Sequence, residues 1–164
     1  HNIIPDQALL LLTVRSYSDE TRAKLIKGIE RIARGEAIAA GVPDDKMPVV
    51  SVKDEFTPST YNPPEFAEQM GALLKGHFAE GRVVKTPAVM GGEDFGRFYR
   101  ADKSINSFIF WVGGVPADKM AAAEAGQITL PSLHSPFWAP EADKVIATAS
   151  EAMTVLAMDI LKKD

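Results

Sequence analysis

Two kinds of apolar pattern alternate along this chain, and that alternation restricts its fold more than any other feature. Ala8-Leu9-Leu10-Leu11-Leu12 is a continuous apolar run that Thr13 and Val14 extend, which reads as a buried strand over residues 7–14. Ala23, Ile26, Ile29, Ala33, Ala37 and Ala40 then recur at helical spacing until Gly41. Ser18 stands where this helix needs an N-cap, with Asp19 and Glu20 against the positive end of its dipole. Residues 48–56 alternate, with Val50, Val52 and Phe56 in register, and read as a half-buried strand. Strand, helix, strand is half of a two-layer domain rather than a whole one.

Thr57 to Pro64 is rich in Pro, Ser and Asn, and the domain boundary is placed there, giving pieces 1–58 and 59–164. Asn62 to Glu65 has the form of a capping box, with prolines tolerated in the first turn. Phe66, Met70, Leu73, Leu74 and Phe78 give a helix face that Gly81 ends. Val83 and Val84 suit a short strand, and residues 105–112 form the clearest central strand, cut off by Gly113-Gly114. Residues 114–132 show little periodicity and read as a long surface loop. Pro140 opens a last helix with Val145, Ile146, Ala149, Ala152, Met153, Leu156, Ala157, Ile160 and Leu161 on one wide face. Lys162 and Lys163 follow at its negative end. Helices alternating with strands give an α/β class.

With 164 residues and 46% hydrophobic content, one domain or two small pieces are affordable without staples. A net charge of −4 argues against a nucleic-acid partner, which needs a basic patch. No apolar run approaches the ~20 residues that cross a bilayer. No signal-like segment opens the chain, since His1-Asn2 leads straight into a patterned strand. The chain lacks an initiating Met, which suggests a piece of a longer protein and leaves the compartment open. The absence of cysteine removes disulfides and thiolate ligands.

Three stretches carry the chemistry: Asn2-Ile3-Ile4-Pro5-Asp6 followed by Arg15, then Gly91-Gly92-Glu93-Asp94-Phe95, then Leu133-His134-Ser135-Pro136. In this order, and followed by a long helix, they resemble the C-terminal half of the metal-dependent aminoacylase and carboxypeptidase family. The likeness is to its branch of hippurate hydrolases, N-acyl-amino-acid amidohydrolases and indole-acetyl-amino-acid hydrolases. Enzymes of that family have an α/β catalytic domain interrupted by a lid, or dimerisation, domain. The resemblance therefore implies that residues 1–58 are the second half of an α+β lid and residues 59–164 the C-terminal part of the catalytic domain.

His134 is in a loop, where a neutral imidazole binds zinc, nickel, cobalt or manganese. The resemblance implies that it is the last ligand of a two-metal centre; the other reading is a loop histidine bonded to a carboxylate. One histidine makes no site, because catalytic zinc takes about three protein ligands plus water. The remaining histidines are His1 and His77, and His77 falls on the hydrophilic side of its helix, where it reads as solvated. The family's other ligands and its general-base glutamate lie in an N-terminal half that is missing here. No catalytic residue is thus expected in this piece, and alone it should be inactive.

Gly91, Gly92 and Glu93 read as a glycine turn running into a short helix, where backbone approaches a ligand closely. The resemblance makes all three pocket residues, while a capped turn remains the alternative for Glu93, and Asp94 and Phe95 read as structural. Arg15 offers a planar fork for a carboxylate and Asn2 adds amide donors. The resemblance implies that both bind the substrate across a homodimer interface; an ordinary strand-end arginine is the other reading. Tyr17 and Trp138 are candidates to shape an acyl pocket, or simply pack. The expected function is hydrolysis of the amide bond of N-acylated amino acids or small peptides by metal-activated water. The alternative is a non-catalytic binding or dimerisation module that retains the fold.

Overall fold

The computed structural model describes residues 2–162, so His1 and Lys163 lie outside the described residues. Its elements are α1 (Asp19–Ala39), a 3₁₀ turn (Asp44–Lys46), α2 (Pro64–His77), α3 (Arg97–Ala101), α4 (Ala117–Glu124) and α5 (Ala142–Ile160). The chain divides into two compact units, one comprising residues up to Tyr61 with Pro87–Ile105, the other Asn62–Thr86 with the chain from Asn106 onward. No described helix is long and apolar enough to cross a membrane.

In the first unit α1 forms where the spacing predicts it. Ser18 is extended (φ −142°) and its Oγ accepts from the Thr21 N–H, so one of the helix's orphan donors is satisfied. At the other end Gly41 takes φ +70°, which lets the Gly41 N–H reach the Ile38 carbonyl and the Val42 N–H the Ala37 carbonyl. This pairing closes the last turn and needs a left-handed residue at that position.

The second unit contains the apolar core. Met70 and Leu74 of α2 meet Ala152 and Leu156 of α5, and Phe66, Leu73, Phe78, Val83, Phe108, Phe110 and Val155 pack around them. Met70 is 1% exposed, and burying such a side chain contributes roughly 1.5–3 kcal/mol. His77 is exposed, as its place on the hydrophilic side of the helix predicts, and its Nε2 also lies 2.7 Å from Glu151 Oε1, which ties α2 to α5 at their rim.

The expected α/β class is not realised among the described residues, where no β-ladder forms and the regular structure is helical. Residues 7–14, 48–56, 83–84 and 105–112 carry no regular structure. A helix supplies its own hydrogen-bond partners four residues away, whereas a strand needs a second segment alongside. Leu9 is 83% and Leu11 86% exposed, contrary to the buried strand their run predicts. Residues 108–112 keep the period-two burial of a strand: Phe108, Phe110 and Val112 are half-buried while Ile109 and Trp111 are exposed.

A side chain serves Ile109 where a neighbouring strand would. Asn62 Nδ2 donates to the Ile109 carbonyl at 2.8 Å, and the Ile109 N–H donates to Asn62 Oδ1 at 2.9 Å. The amide reproduces the donor and acceptor of a paired backbone residue. Asn62 is therefore not the cap of α2, whose N-cap is Pro63 without a side-chain bond, and the expected capping box does not form. Helix α2 also stops at His77, with Gly81 (φ +79°) in the turn beyond it.

Helix α4 replaces part of the loop expected over 114–132. Pro116 precedes it, Ala121, Ala122 and Ala123 are strong helix formers, and Gly126 (φ +70°) closes it as Gly41 closes α1. Periodicity missed it because its eight residues, with Met120 the one large apolar side chain among alanines and charges, set no apolar stripe.

Candidate functional site

The glycine-containing loop is held through its own carbonyls. Arg15 Nη1 donates to the Met90 carbonyl at 2.7 Å, and a Cβ placed on Gly92 would lie 3.6 Å from the same nitrogen. The guanidinium thus lies against the loop, with one of its five N–H donors on Met90. Tyr17 Oη donates to the Ala88 carbonyl at 3.2 Å, and Thr60 Oγ1 to the Glu93 carbonyl at 3.1 Å. Side chains 33 to 75 residues away in sequence therefore meet on residues 88–93.

Glu93 Oε1 accepts from the Phe95 N–H at 3.0 Å, a local turn cap of the kind that competes with ligand binding for this carboxylate. The short helix after the loop is α3, beginning at Arg97 rather than directly after the glycines. The structure brings Arg15 together with Gly92 and Met90 in the first unit. Asn2 is exposed, and its side chain makes no hydrogen bond among the described residues.

His134 belongs to the second unit and is exposed. Its turn is built by the Ser135 N–H on the Ser132 carbonyl, the Trp138 N–H on the Ser135 carbonyl and the Phe137 N–H on Ser135 Oγ. Trp138 walls an apolar cleft of about 200 Å³ with Val115, Pro116, Leu130 and Phe137. A Cβ on Gly114 would stand 3.0 Å from Pro140 Cβ and 3.5 Å from the Trp138 ring, so the glycine makes room for that wall.

Among the described residues no three His, Asp or Glu side chains gather closely enough to share a metal ion. By themselves these residues do not fit a metal centre: the donor set at the expected position is the single imidazole of His134.

Part of this sequence is shared with known proteins. The chain is 33% identical over 97 residues to thermostable carboxypeptidase 1 of Saccharolobus solfataricus, covering 59% of this chain and 23% of that protein. It is 31% identical over 108 residues to thermostable carboxypeptidase 2 of the same organism, covering 66% and 26%. Over 116 residues it is 29% identical to an N-acetyldiaminopimelate deacetylase of Streptococcus suis, covering 69% and 28%. The likeness is to amidohydrolases and peptidases. The chain spans about a quarter of the length of these relatives. No family model matches the chain. No solved structure matches it.

Sequence reading missed Thr60 as a partner of the loop. Thr60 sits in a linker with no periodicity, and a hydrogen bond spanning 33 residues leaves no local pattern.

Proposed function

We propose that this chain is the C-terminal part of a metal-dependent amidohydrolase that cleaves the amide bond of N-acylated amino acids or small peptides. One observation carries the proposal: the partial identity to two carboxypeptidases and a deacetylase, proteins named for hydrolysing amide bonds of amino-acid substrates. In this reading residues 1–58 are the second half of a lid that dimerises, and residues 59–164 complete a catalytic domain. His134 supplies one ligand of a two-metal centre, for zinc or for manganese, cobalt or nickel, and the other ligands and the general base come from outside this chain. Gly91, Gly92 and Glu93 line the substrate pocket. Arg15, with the N–H groups not spent on Met90, and Asn2 hold the substrate carboxylate or the scissile carbonyl, across the dimer.

The test is hydrolysis of hippurate and acetyl-methionine by the full-length protein supplied with zinc, manganese or cobalt. Cleavage is expected from that protein and none from this chain alone; a full-length, folded protein inert toward every acylated amino acid would sink the proposal. Arg15→Ala is expected to cost of the order of 2–5 kcal/mol in kcat/KM, as when a buried charge pair loses one member. Arg15→Lys should restore little, because an ammonium lacks the planar fork.

A further inference from the structure

We propose that residues 56–60 are a strap that positions the Gly91–Phe95 loop, with Thr60 and Gly96 as positioning residues for substrate binding; this rests on the proposed role of that loop. The two segments are pinned to each other in both directions. Thr60 Oγ1 donates to the Glu93 carbonyl at 3.1 Å, and Arg97 Nη2 donates back to the Phe56 carbonyl at 2.8 Å. Pro58 and Gly96 are buried between these bonds.

Gly96 shows how close the approach is. Its φ of −59° and ψ of −12° suit any residue, so conformation does not require glycine there. Space does: a Cβ would lie 2.8 Å from Thr60 Cα, 2.9 Å from Thr60 Oγ1 and 3.1 Å from the Ser59 carbonyl oxygen. Two of those three neighbours are backbone and cannot rotate away.

Fixing carbonyls also fixes donors. Across a planar trans peptide the N–H points opposite to the C=O, and the described peptides contain no cis bond. By holding the Glu93 carbonyl, Thr60 turns the Asp94 N–H away from the strap. Arg15 does the same to the Gly91 N–H through Met90. The loop is thereby tied at its entry by Arg15 and Tyr17 and at its exit by the strap, with the Gly91 and Asp94 N–H groups turned away from these ties; in this proposal they meet an oxygen of the substrate.

The experiment uses the full-length protein with Thr60→Val, Thr60→Ser and Gly96→Ala, following hydrogen exchange of the 88–97 backbone and the kcat and KM for acetyl-methionine. Thr60→Val removes one hydrogen bond at constant shape, so roughly fivefold faster exchange and a comparable rise in KM are expected, with kcat nearly unchanged. Thr60→Ser should restore both, and Gly96→Ala should exceed Thr60→Val in both. Unchanged exchange at 88–97 in a folded Thr60→Val protein would overturn the strap. Faster exchange with an unchanged KM would overturn its role in substrate binding. Exchange that rises and is rescued by serine, in a protein that hydrolyses no acylated amino acid, would support the strap and count against the proposed function alone.

Discussion

Helices α2 and α5 and the segment Ala8–Val14 all carry apolar residues, the segment at the highest density, and they end in opposite states. The helix pair buries Met70, Leu74, Ala152 and Leu156, whereas Leu9, Leu10 and Leu11 are each at least 75% exposed. Hydrophobicity alone does not separate them. An amphipathic helix satisfies its backbone before it packs, and then needs only one complementary face. A strand must find hydrogen-bond partners and a covering layer at once, and no partner of this kind is present for residues 8–14 among the described residues.

The widest expected gap tests this contrast directly. Met70→Ala should destabilise the chain by about 2–5 kcal/mol, through lost transfer energy and a residual cavity, while Leu10→Ala should stay within about 0.5 kcal/mol. Denaturant unfolding of both variants measures the gap. Repeating the pair in the full-length protein sharpens it, because a Leu10→Ala cost approaching that of Met70→Ala there would mean that residues 7–14 gain a sheet partner.

Asn62→Leu comes next. It strips the Ile109 backbone of both bonds and should cost about 1–3 kcal/mol, with Asn62→Asp intermediate because it keeps the acceptor and loses the donor. A neutral Asn62→Leu in thermal unfolding would show that water serves Ile109 as well as the amide does. Ser18→Ala should cost about 1 kcal/mol by removing the α1 cap, and Ser18→Asp should recover most of it. Helical content by circular dichroism and the unfolding midpoint check both.

The smallest effect concerns Asp102. The backbone N–H of Ser104, and then its hydroxyl, donate to this carboxylate and hold its pKa below the ordinary 3.8. A depressed folded pKa stabilises above the unfolded value, and that stabilisation is lost as pH falls below 3.8 and through the folded value. Ser104→Ala removes the hydroxyl and keeps the backbone N–H, so the midpoint should move only part of the way toward 3.8 in a carboxyl NMR titration, and an unmoved midpoint would assign the depression to the backbone N–H alone.

Near-neighbour physics was legible in the sequence by itself. Ser18 and Gly41 bound α1, Met70 and Leu74 mark the buried face of α2, and Ala152 and Leu156 that of α5, because caps and stripes depend on residues within a few positions of each other. The alternating burial at 108–112 was not legible, because Phe108 to Val112 are all apolar and only packing separates their two faces. Tertiary structure alone decided what crosses long sequence distances: Asn62 serving Ile109 rather than a cap, His77 meeting Glu151, Arg15 on the Met90 carbonyl and Thr60 against Gly96. Each joins segments 36 to 75 residues apart, where no spacing rule reaches and only the packed chain fixes which polar group finds which partner.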